Sequence, residues 1–185
     1  MAGVGYMFSH SNIPLMPYGD RSMRSRIALV LAAAASVAAF TACGSDSTVT
    51  VVPATATYTS TMNGANERAT PNASPATGTA TYKLTGDILT FTVTVNGLSG
   101  PATASHIHVG SAAAFGGVIV PFVTGSVASG NLTSGTIDLS KTISNGTSTI
   151  TGDSLKVLLN NGNAYTNIHT AQFGGGEIRG QIIKQ

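Results

Sequence analysis

Three imidazoles are the side chains in this 185-residue chain whose type and spacing could do chemistry: His106, His108 and His169. The first two sit in Ser105-His106-Ile107-His108-Val109, the third in Tyr165-Thr166-Asn167-Ile168-His169-Thr170. Side chains two apart on a β-strand leave the same face, so His106 and His108 stand together while Ile107 and Val109 point the other way. By the same alternation His169 shares a face with Asn167 and Tyr165, opposite Ile168. If the two strands are neighbours, three rings converge outside the apolar core. Strand positions two apart are separated by roughly 6.5–7 Å, and imidazoles at that spacing can lean onto one ion at about 2.0–2.1 Å. A set of imidazoles without thiolates suits copper or zinc better than magnesium or calcium. Three protein ligands with an open fourth position resemble a catalytic metal arrangement more than a closed structural one. The competing reading is strand histidines hydrogen-bonded to loops, which an isolated His-x-His does not separate from a metal site.

Other candidates are weaker. Glu177 and Arg179 fall two apart on one strand face, with Ile178 and Ile182 opposite. The expectation there is a cross-strand or same-face ion pair, contributing about 0–1 kcal/mol where exposed. Gly174-Gly175-Gly176 is followed by neither a helix nor a lysine, so it reads as a tight turn into a strand rather than an anion cradle. No Gly-x-Ser-x-Gly, His-Glu-x-x-His, Walker or dinucleotide-binding pattern occurs. No catalytic residues are expected, and the domain is read as non-enzymatic.

Bringing the histidines together requires strands, and from Ala54 onward the pattern is period two broken by turn residues. Leu89, Phe91, Val93 and Val95 alternate with Thr90, Thr92 and Thr94, giving one apolar and one threonine face. Thr79–Leu84 and Ile88–Val95 read as a hairpin across Gly86-Asp87. Further strands are expected at Ala56–Met62, Thr103–Val109, Val118–Val123, Gly135–Leu139, Ala164–Thr170 and Glu177–Ile183. Asp153–Leu159 reads as one or two helical turns, capped by Asp153 and stopped at Gly162. The expected fold is an all-β sandwich or barrel with one short helix.

The chain begins differently. Arg24-Ser25-Arg26 precedes a run of 14 mostly apolar residues, Ile27–Phe40, and then Thr41-Ala42-Cys43. The run falls short of the roughly 20 residues of a membrane span and has the make-up of a signal-peptide core. Phe40-Thr41-Ala42-Cys43 resembles the lipobox of bacterial lipoproteins, with Phe40 where Leu is usual. That resemblance implies acylation of the Cys43 thiol, with a palmitate-type chain, and removal of residues 1–42. Met23 is the expected true start, residues 43–53 a tether, and residues 54–185 the β domain. Gly44 after the cysteine is similar to Gram-negative lipoproteins that pass to the outer membrane. The expected location is therefore the cell envelope, outer-membrane or periplasm-facing, with the membrane as partner through the lipid.

With one cysteine in the chain no intramolecular disulfide can form. From Cys43 onward six acidic residues (Asp46, Glu67, Asp87, Asp138, Asp153, Glu177) balance six basic ones (Arg68, Lys83, Lys141, Lys156, Arg179, Lys184). The net +2 of the whole chain thus belongs to the leader. A neutral domain without a basic stripe has no electrostatic reason to bind nucleic acid.

SHIHVG at Ser105–Gly110, YTNIHT at Tyr165–Thr170 and GEIRGQI at Gly176–Ile182 together resemble the CHRD domain, named from chordin and also found in bacterial secreted proteins. The resemblance runs from about Ala54 to Gln185, with Phe173-Gly174-Gly175 where a Pro-Gly is usual. It implies an immunoglobulin-like, superoxide-dismutase-like Greek-key sandwich or barrel and no settled activity. Superoxide dismutase also carries a His-x-His strand outside its barrel, but this chain lacks a further histidine to bridge a second metal, a zinc loop and a disulfide. Dismutase activity is not expected; a mononuclear copper or zinc site is the most these histidines could support. Two readings of function stay open: an envelope module with a binding or structural role toward a protein or matrix partner, and a copper- or zinc-binding protein using His106, His108 and His169.

Overall fold

The period-two stretches become strands in the computed structural model, which describes residues 53–68, 70–122 and 125–185. The leader, the lipobox-like segment and Cys43 lie outside the described residues. In order, the strands are β1 (Thr55–Asn63), β2 (Thr77–Thr85), β3 (Ile88–Asn96), β4 (Ala102–Val109), β5 (Val118–Pro121) and β6 (Gly130–Asp138). Then come β7 (Thr142–Ser144), β8 (Thr149–Thr151), helix α1 (Gly152–Asn160), β9 (Ala164–Thr170), β10 (Ile178–Gln181) and β11 (Ile183–Lys184). A 3-10 turn, Gly64–Asn66, follows β1.

One curled, antiparallel sheet runs β5-β4-β9-β10-β1-β2-β3-β6, with β11 also on β1, and β7 and β8 pair separately. This is the all-β sandwich or barrel that the alternation leads one to expect. The link from β5 to β6 is tied back to the β3–β4 link: Leu98 and Ala102 donate backbone hydrogen bonds to Ala128 and Val127. The inner face carries Tyr58, Tyr82, Leu89, Val93, Ile107, Ile168 and Ile178, all fully buried, while Thr90, Thr92 and Thr94 stay exposed. Burying each such aliphatic side chain contributes about 1.5–3 kcal/mol. Buried Tyr82 shares a 2.8 Å hydrogen bond with Thr166, so its hydroxyl does not go unsatisfied. Among the described residues no helix is long and apolar enough to cross a membrane.

Several boundaries differ from the sequence reading. The helix is N-capped by Thr151, whose hydroxyl accepts from Ser154 N at 3.1 Å, and not by Asp153. Thr151 is the residue still in extended backbone; Asp153 is already in the first turn, where its charge complements the helix dipole. The helix spans nine residues because Leu155 and Leu159, one turn apart, both insert into the core. It stops where expected, with Gly162 left-handed at φ +64°. β6 starts at Gly130, not Gly135, because its long register with β3 imposes extended backbone on a Gly- and Ser-rich stretch without hydrophobic alternation. The β7–β8 hairpin has strands of three residues, too short to show a period. The expected strand Glu177–Ile183 is two: β10 pairs with both β9 and β1, Ile182 turns into the core, and β11 pairs with β1.

Candidate metal centre

The pleat places all three histidines on the outer face of two neighbouring strands. β4 and β9 pair antiparallel, with His106 across from Asn167, His108 across from Tyr165 and Ala104 across from His169. β10 continues the rows, Arg179 beside Asn167 and Gln181 beside Tyr165. Ile107 and Ile168, the residues between, are fully buried on the inner side. Ring centroids of His106 lie 5.4 Å from His108 and 5.1 Å from His169, and those of His108 and His169 are 6.4 Å apart. One ring nitrogen of each lies within 4.8 Å of the other two.

This outer face is not open to solvent. Tyr165, Asn167, Glu177 and Arg179 are all at most 3 % exposed. Loops cover them. Arg68 reaches the Ala112 carbonyl, Arg179 donates to the carbonyls of Ser111 and Ala114, and Asn72 donates to those of Gly176 and Glu177. The sheet thus has an oily interior on one side and a polar, loop-covered layer on the other, with the half-buried imidazoles in the second.

Two of the rings are oriented by loop carbonyls. His108 Nδ1 is 2.9 Å from the Gly116 carbonyl oxygen, and His169 Nδ1 is 3.0 Å from that of Gly174. A carbonyl can only accept, so each neutral ring carries its proton on Nδ1 and keeps the Nε2 lone pair free. Both Nε2 atoms, and His106 Nδ1, are buried and have no hydrogen-bond partner in the protein. Histidines bonded to loops and histidines available to a metal are therefore compatible here, since the loop bond fixes which nitrogen is left as donor.

Burial disfavours the charged form of all three rings. It pulls His106 down to about 4, with His169 and His108 beside it adding to the effect. Burial also lowers His108 and His169, each partly opposed by its loop carbonyl. Unprotonated imidazole is the ligand form.

Glu177 and Arg179 do share a face, as their spacing requires, but they do not pair with each other. Glu177, completely buried, accepts from Ser74 Oγ and Ser99 N on Oε1 and from Ser99 Oγ and Thr170 Oγ1 on Oε2. Burial works to raise its pKa, and these donors outweigh burial and hold it below the usual carboxylate value. Arg179 instead covers Tyr165, 3.5 Å from the ring centroid, and Tyr165 stacks its ring against His108 at 4.8 Å. The ion-pair expectation failed because loops distant in sequence supply both side chains with partners.

A cavity of about 210 Å³ adjoins His108 and His169 and is bounded also by Glu67, Arg68, Phe115 and Arg179. Glu67 accepts from Asn167 Nδ2 at 2.6 Å. Sequence reasoning did not single it out: it sits in a loop with no periodicity, and only its scarcity as one of five acids in the domain could have drawn notice. Gly116 and Gly174 contribute backbone atoms alone, which a reading of side chains does not reach.

The fold and site define a curled antiparallel β module with a loop-covered, histidine-bearing polar face. The sequence profile of the CHRD domain matches residues 58–182, so the chain belongs to the CHRD-domain family. That family is not a known enzyme family. No curated protein and no solved structure matches the chain.

Proposed function

We propose that this protein is an exported envelope module, anchored through lipid on Cys43, whose β domain binds a single copper or zinc ion on His106, His108 and His169. The observation that carries the metal reading is the set of buried ring nitrogens without partners, His106 Nδ1, His108 Nε2 and His169 Nε2, on three rings that converge. An unsatisfied buried polar atom costs about 1–3 kcal/mol, and three on one face call for a shared partner. With the Nδ1 protons of two rings held by carbonyls, that partner must accept lone pairs, which a cation does and a hydrogen-bonding anion does not. Anchoring rests on the lipobox-like segment and the apolar run before it.

Titration of the purified protein with zinc and with copper, followed by metal analysis after desalting, tests the first part. One ion per chain with a dissociation constant below about 10 µM, equivalent to about 7 kcal/mol, is expected. No binding at that level, or binding unchanged in His106→Ala/His108→Ala, removes the metal reading. Cys43→Ala is expected to move the protein from the membrane to the soluble envelope fraction, and mass spectrometry to find an acylated N-terminal cysteine in the parent.

A further inference from the structure

The cavity beside the imidazoles contains an ionisable group that metal binding alone leaves without a role. Glu67 is 5 % exposed and is held through Oε1 by Asn167. Asn167 lies across from His106 and two residues before His169 on the same face, so its hydrogen bond ties the Glu67 carboxyl to the strand that carries His169. It also lines the cavity that His108 and His169 line. Among the described residues no lysine or arginine forms an ion pair with it. Arg68 and Arg179, its charged neighbours in the cavity, direct their hydrogen bonds to backbone carbonyls. Three imidazole ligands with a fourth position open are the set on which zinc carries a reactive water. A buried carboxyl beside such a set, near two guanidinium groups but ion-paired to neither, is placed to take that water's proton.

We infer that, with zinc held by His106, His108 and His169, the fourth position faces this cavity and carries a water whose proton Glu67 accepts, making the cavity a hydrolytic site for small carboxylic esters. The inference rests on the metal-binding reading. In the step, the zinc-bound water loses a proton to the Glu67 carboxylate, and the hydroxide oxygen bonds to the ester carbonyl carbon. The carbon–oxygen bond to the leaving alcohol then breaks, and that oxygen takes the proton back from Glu67. Acid and alcohol result, nothing is oxidised or reduced, and both groups return to their starting state. The cavity, about 210 Å³, has room for the small acyl group of an acetate ester. Burial pushes Glu67 up to about 7, against the lowering effects of Asn167, Arg179 and Arg68.

The test uses the purified, zinc-loaded protein with p-nitrophenyl acetate, with zinc content measured on every sample. Expected are turnover at least about tenfold above the metal-free protein and free zinc, and a fall in kcat of about 100-fold in Glu67→Gln with zinc content and thermal melting retained. The amide carbonyl of that variant would still accept from Asn167, so the fold is not put at risk, and Glu67→Asp should recover part of the rate. A protein that holds zinc but hydrolyses no faster than free zinc, or a Glu67→Gln variant as fast as the parent, overturns the inference and leaves metal binding standing. A protein that takes up no zinc overturns both.

Discussion

His108 and Gly116 fix each other: the ring gives its Nδ1 proton to the glycine carbonyl 2.9 Å away, and the loop that carries Gly116 is held over the sheet in return. Gly116 N meanwhile donates to the Tyr165 hydroxyl at 3.2 Å, on the ring that stacks against His108. A loop, a ligand and the aromatic platform beneath it thus form one unit. His169 and Gly174 repeat the arrangement on the neighbouring strand. Such outer partners set the tautomer and aim of a metal-binding imidazole.

Metal should stabilise the fold. Because the rings are already gathered and neutral, binding costs little rearrangement, and a ligand at 100 times its dissociation constant contributes about 2.7 kcal/mol. For a domain of this size that is a rise in Tm on the order of 10 °C. Differential scanning fluorimetry with zinc, copper and a chelator should show the rise in the parent and none in His106→Ala/His108→Ala. An equal rise in the double variant would place the metal elsewhere.

Gly116→Ala should weaken metal binding without touching a ligand. A Cβ there would overlap the Val109 carbonyl oxygen, so the loop must shift and take the partner of His108 Nδ1 with it. Loss of such a partner typically lowers metal affinity about 10–100-fold. Gly117→Ala is the control, since nothing lies within 4 Å of the added carbon. Isothermal titration of both variants decides the matter, and equal affinities would mean that the carbonyl does not orient the ring.

What was legible in the sequence follows from what is local. Alternation alone set His106 and His108 against Ile107, and His169 against Ile168, and the structure keeps every one of those assignments. That β4 and β9 are neighbours is not local: 54 residues, with four strands and a helix among them, intervene, and only the packed sheet decides it. Glu67 was invisible for the same reason. Its position depends on Asn167, a hundred residues away, and on Asn72 clasping Gly176 and Glu177. Glu177 and Arg179 show the limit from the other side, because their shared face was readable while their partners, Ser74, Ser99, Ser111 and Ala114, come from three separate loops.

The metal-free protein should respond to pH through two opposing sets of groups. The histidines have folded pKa values below their ordinary 6.5, His106 at about 4, so the unfolded chain binds more protons between those values and stability falls as pH drops from 6.5. Glu67 is raised from 4.5 to about 7, so there the folded state binds the extra proton, and stability falls as pH rises from 4.5 to 7. Over roughly pH 4.5–6.5 the two slopes oppose one another. Glu67→Gln removes one of them. Urea melts of the chelator-treated variant should therefore lose more stability between pH 6.5 and 4.5 than the parent does. Parallel curves would show that Glu67 titrates normally.

Glu177 should be the costliest polar side chain to remove, and the cost should depend on what replaces it. Its two oxygens accept four hydrogen bonds with no exposure to water, and hydrogen bonds to charged groups contribute about 1.5–3 kcal/mol each. Ala leaves Ser74, Ser99 and Thr170 facing a void, which should cost about 3–5 kcal/mol in a denaturant melt. Gln is different. Its carbonyl can keep the Ser74 hydroxyl and the Ser99 N–H, which can only donate, while its amide faces the Ser99 and Thr170 hydroxyls, which can rotate to accept. The cost of Glu177→Gln should accordingly stay near 1–2 kcal/mol, the difference between charged and neutral bonds. Equal losses for Ala and Gln would mean that the charge, not the geometry of the donors, is what this pocket is built around.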